Sequence, residues 1–266
     1  MASPVSHNAS SLLLEPLPSL NVPLSRTSSK ALRRIQFVGA LRRWANFRIE
    51  GSQTYNSQTW NERELAARVS TSLQAGSVDE EHVLVSDEHG VQSRFEGRAE
   101  EVLGVAFEAQ NQDLKLGGFR GASSLTPGYK KVPDFVLVIS SREAKVVGEV
   151  KVPWINDHGL SKAISLSLFQ TGDEEPFQHL LGQIAKYMFD SRLKYGVLTT
   201  YQLTIFLRKM DFGRAWGLGF SPVIHHNFRG STSGRTISLC QSFYHVGLLA
   251  LTDSQFDTQT GLRNQR

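Results

Sequence analysis

Cysteine is almost missing from this sequence: Cys240 is the only one in 266 residues. That excludes an intramolecular disulfide and any multi-cysteine zinc or iron–sulfur site, and it suits a reducing, intracellular compartment, nucleus or cytoplasm. Long apolar runs are missing too. The longest resemble Phe135-Val136-Leu137-Val138-Ile139, far short of the ~20 residues of a membrane span, so no membrane partner is expected. No cationic stretch followed by an apolar core opens the chain, which argues against a secretory signal.

Positive charge is also scarce where a nucleic-acid reading would want it. The net charge is +4, but residues 1–48 hold seven Arg and Lys against Glu15 alone, a local +6, which leaves −2 for the rest. The sequence pI of 9.2 is therefore weak evidence for a DNA-binding surface. What remains is ordinary: 40% hydrophobic and 20% charged residues, the balance of a soluble globular domain.

The chain divides into a Ser- and Pro-rich, basic arm with a linker (residues 1–55), expected to be disordered, and a domain over 56–266. Within the arm, Leu32, Ile35, Val38 and Leu41 recur near helical spacing among arginines. Three readings stand: a mitochondrial presequence, a basic helix touching nucleic acid or an import factor, or a terminal helix packed on the domain with its arginines solvated. Further on, a short helix is expected from Asn61 to Val69 and a longer one over 98–110. A glycine-rich loop then runs from Gly117 to Gly128. Strands over 134–140 and 144–151 form a hairpin, a helix covers 176–192 with Pro176 in its first turn, and strands follow over 195–200 and 202–208.

The hairpin carries the chemistry. Asp134 opens its first strand after Pro133, and Glu149 and Lys151 lie two apart on the second, hence on one face. If residues 140 and 145 pair, Asp134 faces Lys151 and sits diagonal to Glu149, ~7–8 Å away. Two carboxylates so placed reach one divalent cation, with an ammonium beside it for a phosphate. An opposite parity would put the acids on opposite faces and destroy the site. A blander reading makes Glu149 and Lys151 a solvated pair, with Asp134 capping a turn.

On the next helix Gln183 and Tyr187 are four apart and share a face. With Pro133-Asp134, Glu149-Val150-Lys151 and this Q-x-x-x-Y helix, residues 98–208 resemble the RecB-like branch of the PD-(D/E)XK nuclease superfamily. The stretch is also similar to nuclease-like domains of uncharacterised fungal proteins. The resemblance implies an α/β, restriction-endonuclease-like core (αβββαβ) with a central mixed sheet flanked by helices. It implies Asp134 and Glu149 as ligands of Mg²⁺ or Mn²⁺, Lys151 as the catalytic lysine, and Gln183 and Tyr187 as the helix pair over the site. A further acid is expected from the preceding helix, Glu101 before Glu108. Only two strands precede the second helix in this reading, and a third is sought within 155–170. The implied activity is hydrolysis of phosphodiester bonds, with nucleic acid, DNA before RNA, as partner; the alternative is a non-cutting module that binds nucleic acid or a protein.

Other residues weigh less. The adjacent His225 and His226 diverge on a strand, His158 and His179 stand alone, and Trp154 either packs in the core or stacks on a base. No dinucleotide loop or G-x-S-x-G elbow is present.

Overall fold

The computed structural model describes residues 7–28, 34–65, 83–122, 132–161, 175–212 and 215–256. In chain order the elements are α1 (Ala9–Leu14), β1 (Ala40–Arg43), α2 (Phe47–Asn56), α3 (Glu88–Ala109), β2 (Lys115–Gly118), β3 (Phe135–Val138) and β4 (Ala144–Val150). There follow α4 (Glu175–Asp190), β5 (Tyr195–Thr199), β6 (Leu203–Phe212), β7 (Ala215–Phe220), β8 (Ile224–His225) and α5 (Leu239–Thr252). The strands form one mixed sheet in the order β1-β7-β6-β5-β4-β3-β2, with β8 also on β6. β4 and β5 are parallel, as are β1 and β7.

Alternation along the strands sorts two cores. Phe135, Leu137, Val146, Val197 and Phe206 face α3 and α5 through Phe95, Leu103, Phe107 and Phe243. Val136, Val147, Leu198 and Ile205 face α4 through Phe177, Leu181, Ile184 and Met188. With both faces covered, near-continuous apolar strands such as β4 are what burial demands. The fold is therefore α/β, a central mixed sheet flanked by helices.

The run α3-β2-β3-β4-α4-β5 reads αβββαβ, and is compatible with a restriction-endonuclease-like core. Its extra strand is β2, not a segment of 155–170. Its Gly117 and Gly118 pair with Val136 and Phe135 and had read as the start of a loop. In 155–170 the described part holds a short 3-10 turn at Asn156–His158, and the Ile164–Leu168 alternation lies outside the described residues. Asn61 to Glu64 is not helical, Leu65 bridges to His7, and residues 66–69 lie outside the description. Helix α3 begins ten residues before the periodic stretch that announced it, with Asp87 accepting from Gly90 N at 2.7 Å.

The expectation of a disordered arm is corrected for the described part of 1–55. Asn8 caps α1, and Leu12, Leu13, Phe37, Leu41, Trp44 and Phe47 are buried. Residues 40–43 form a strand rather than a helix, because pairing with β7, Ala40 to Gly217 through Arg43 to Phe220, satisfies the backbone. Residues 47–56, most of them within the stretch 49–60 expected to be linker, are α2, which packs on α5. The Tyr201 hydroxyl donates to Pro18 O at 2.7 Å, and Arg229 clamps Glu15 with both terminal nitrogens, Nη1 at 2.6 Å. These ties hold residues 15–18 to the domain.

Two glycines permit close approach. A Cβ on Gly182 of α4 would lie 2.3 Å from the Ile35 carbonyl, where the N-terminal chain crosses the helix. A Cβ on Gly148 would lie 2.0 Å from the tip of the Phe135 ring. Gly148→Ala is expected to cost about 2–3 kcal/mol, as overpacking of a filled core does. Urea denaturation would measure it, and an unshifted midpoint would refute that packing.

Candidate active site

Phe135 pairs with Gly148, Val136 with Val147 and Leu137 with Val146, before a bulge at Leu137/Val138. The register differs by two residues from the expected one, because Ile139 to Glu143 turn over Arg142 in the left-handed region (φ 66°) and close with Ile139 N–H on Glu143 O. Beyond the last rung the Asp134 N–H donates to Gly148 O at 3.0 Å and its Oδ2 accepts from the Val150 N–H, so its carboxylate lies beside Glu149 and Lys151 rather than in the expected rung with Lys151. Asp134, Glu149 and Lys151 then share the α4 face.

There α4 supplies the lid. Glu149, Lys151, Gln183 and Tyr187 are 1–4% exposed. Gln183 Nε2 donates to Glu149 Oε1 and lies 3.3 Å from the Tyr187 hydroxyl. Lys151 Nζ sits 2.7 Å from Glu149 Oε1, and the Val150 N–H donates to Asp134 Oδ2 at 2.7 Å. Glu149 Oε2 and Gln183 Oε1 are buried with no hydrogen-bond partner. The structure thus gathers Asp134, Glu149, Lys151, Gln183 and Tyr187 at the C-terminal end of β4.

Glu101 is not with them. Thirteen residues along α3 from its N-terminal Glu88, or about 20 Å at 1.5 Å per residue, it lines a separate cleft with Glu100, Glu108 and Leu116. The α3 stripe that meets the cluster is Glu88, Gln92 and Glu96. Lys151 Nζ is 3.3 Å from both Glu88 oxygens, and Gln92 Nε2 donates to Asp134 O at 2.8 Å and to Glu96 Oε1 at 2.9 Å. Sequence reasoning missed Glu88 because it missed the start of α3; the signal was Asp87 as cap, with acid, amide and acid at four-residue steps. Glu88 is 39% exposed on its side chain, so the cluster meets solvent on that side.

Burial sets the electrostatics. It pushes the Glu149 carboxyl up to about 8, with Asp134 adding to the rise. Burial likewise lifts Asp134 to about 6, against the Val150 N–H and Lys151, which lower it. Burial alone would lower Lys151, but Glu149, Glu88 and Asp134 outweigh it and raise its pKa, so it stays an ammonium. Two crowded acids beside a fixed cation are the kind of perturbed group that marks functional sites.

Among the described residues no group of three or more His, Cys, Asp or Glu side chains is arranged to hold a metal. The donor set nevertheless fits a hard cation that keeps several waters and takes only one or two carboxylates: Asp134 lies close enough to add to the rise that burial gives the Glu149 pKa, and Glu149 Oε2 has no hydrogen-bond partner among the described residues. The histidines serve the scaffold. His158 Nδ1 lies 3.1 Å from Val152 O, His179 Nδ1 lies 3.2 Å from Ile35 O, and His226 sits between Ser19 Oγ and Gln202 O. Trp154 is half-buried and packs against the α3- and α5-side core, with its Nε1 donating to Thr27 O at 2.9 Å and Arg26 over its ring.

No protein-family model matches the chain, and no curated protein matches it in sequence. Among solved structures, it is similar to the type IIG restriction endonuclease BpuSI, with a TM-score of 0.30 and 11% sequence identity. That similarity covers 66% of this chain and 18% of the endonuclease, so this chain spans less than a fifth of that protein. A likeness at this score carries no argument, and the functional case rests on the cluster. No helix among the described residues is long and apolar enough to cross a membrane.

Proposed function

We propose that the protein is a metal-dependent nuclease that hydrolyses phosphodiester bonds of nucleic acid. The carrying observation is the buried Glu149 set beside the half-buried Asp134 carboxylate and the Lys151 ammonium, its Oε2 without a hydrogen-bond partner among the described residues. Charge of this kind is costly to bury, and a cation together with a phosphate relieves the cost.

Asp134 and Glu149 would hold Mg²⁺ or Mn²⁺, which supplies a more acidic bound water and offsets phosphate charge. The chain's own groups do the rest. The Val150 N–H fixes the Asp134 carboxylate. Gln183 orients Glu149 from α4 and is itself placed by Tyr187. Lys151, kept charged by its acidic neighbours, faces the phosphate and steadies the negative charge that grows on it in the transition state. Its contact with Glu149 keeps the ammonium from swinging toward Glu88 alone.

The test is cleavage of labelled single- and double-stranded DNA and RNA with Mg²⁺ or Mn²⁺ by wild type, Asp134→Asn and Lys151→Ala. Wild type should cut, EDTA should stop it, and each substitution should lower the rate by roughly 10²–10³ or more, the usual cost of one electrostatic group in such a site. Equal cleavage by all three proteins would place the activity outside this cluster, and none in wild type would leave a non-cutting module in place of the enzyme.

A further inference from the structure

We infer that Gln183 is a direct ligand of the divalent cation, its amide oxygen standing third beside the Asp134 and Glu149 carboxylates. This rests on the reading of the acid–lysine cluster as a metal-dependent nuclease centre and completes the donor set of that centre.

A glutamine side chain has two N–H donors and one acceptor oxygen. Both donors of Gln183 face acceptors: Nε2 donates to Glu149 Oε1 and lies 3.3 Å from the Tyr187 hydroxyl oxygen. The oxygen, Oε1, is buried with no hydrogen-bond partner among the described residues. Turning the amide over does not mend this. It would set Gln183 Oε1 against Glu149 Oε1, two acceptors with no proton between them, so the carboxylate fixes which way the amide points. Gln183 and Glu149 are both buried, and bulk water does not supply the missing partner.

Two more oxygens of the cluster lack a donor. Glu149 offers Oε1 to Gln183 and to Lys151 Nζ at 2.7 Å, which leaves Oε2 buried and unpartnered among the described residues. Asp134 offers Oδ2 to the Val150 N–H, and its Oδ1 has no hydrogen bond among the described residues. Acceptors shut away from water without a donor are a cost that native folds seldom leave unanswered. The free oxygens of Gln183 and Glu149 stand one hydrogen bond apart, and the Asp134 carboxylate lies beside Glu149. Two carboxylate oxygens and one amide oxygen are ligands that a hard cation takes. An amide suits the third place better than another acid, because it adds a ligand without adding charge where two carboxylates already repel each other. The nearest acid of α3, Glu88, is turned to Lys151, whose Nζ lies 3.3 Å from both its oxygens. An amide in the set also accounts for the lack of three His, Cys, Asp or Glu side chains arranged around a metal among the described residues.

The test titrates Mn²⁺ alone into the full chain and counts the waters on the bound ion from the relaxation of solvent protons, in wild type, Gln183→Ala and Tyr187→Phe. Gln183→Ala should weaken Mn²⁺ binding about 10–100-fold, as the loss of a partner in a metal site does. It should also add about one water to the bound ion, because water takes the vacated position. Tyr187→Phe loosens the amide but leaves its oxygen, and should keep the wild-type water count. A second measurement needs no variant: with glutamine labelled by ¹³C at the side-chain carbonyl, Mn²⁺ bound to wild type should show an electron–nuclear coupling to that carbon. No coupling in labelled wild type overturns the ligand even if the protein cuts nucleic acid, and so does an unchanged water count in folded Gln183→Ala; the amide oxygen then holds only a water. A water gained equally by Tyr187→Phe also counts against it, since loosening of Glu149 would suffice. Wild type that binds no Mn²⁺ overturns both the ligand and the nuclease reading. Coupling and a gained water in a protein that cuts nothing uphold the ligand and overturn the nuclease reading alone.

Discussion

Asp134→Asn is expected to unfold at a higher temperature than wild type at pH 8 in the absence of metal, while its cleavage rate falls by roughly 10²–10³ or more. The folded pKa of Asp134 is raised from 3.8 to about 6, and that of Glu149 from 4.5 to about 8. A carboxyl raised by folding holds its proton in the native state after the unfolded chain has released its own. Stability is therefore full below pH about 4 and is lost as pH rises toward about 8. Asparagine keeps an oxygen for the Val150 N–H, removes one charge, and removes a repulsion that lifts Glu149. The Glu149–Lys151 contact at 2.7 Å stays. Two pKa units correspond to about 3 kcal/mol, so a gain of roughly 1–3 kcal/mol at pH 8, fading by pH 5, is expected from thermal melts. Saturating Mn²⁺ should stabilise wild type more at pH 8 than at pH 6, since binding competes with protons, and should leave the variant nearly unmoved. A variant no more stable than wild type at pH 8, or a gain that persists unchanged at pH 5, would remove the electrostatic account of the site.

Deleting residues 1–48 should abolish the cooperative unfolding transition. The deletion takes away β1 and the buried side chains of Leu12, Leu13, Phe37, Leu41, Trp44 and Phe47. At about 1.5–3 kcal/mol for each large apolar group buried, their loss is comparable to the 5–15 kcal/mol that holds a whole domain together. It also strips β7 of its parallel partner and exposes the α4 surface at Gly182. Circular dichroism during heating would show a broad, non-sigmoidal change. A truncated chain that melts sharply near the wild-type temperature would return the segment to the status of an arm.

These outcomes show what the residue pattern could and could not convey. Strong single-period signals were legible: the apolar strands β3 and β4, the stripe of α4, and the parity that puts Asp134 and Glu149 on one face. The segments that escaped owe their structure to partners far along the chain. α1 is a single short helix in a Pro- and Ser-rich stretch, held by α3 and α5. β2 is half glycine and becomes a strand through β3. The first half of α3 carries Gly90 and Gly97, which blur helical periodicity. Missing that half displaced the helical acid from Glu88 to Glu101, because a helix phase cannot be set without its start. The register differs by two because the chain turns more tightly, Ile139 on Glu143, than a 140–145 pair allows, and the bulge at Leu137/Val138 restores one residue of that difference, which no local rule announces.

The pairing of β1 with β7 has a consequence for how the molecule comes to be made. Ala40 waits for Gly217, Pro18 O for Tyr201 across 183 positions, and Glu15 for Arg229 across 214. A growing chain must therefore carry Trp44, Phe47 and their neighbours uncovered until nearly the last helix has left the ribosome. Contacts so distant in sequence slow folding, and apolar surface held open in the meantime invites aggregation. Yield from the cell should depend more on chaperones and growth temperature than the stability of the finished fold would imply.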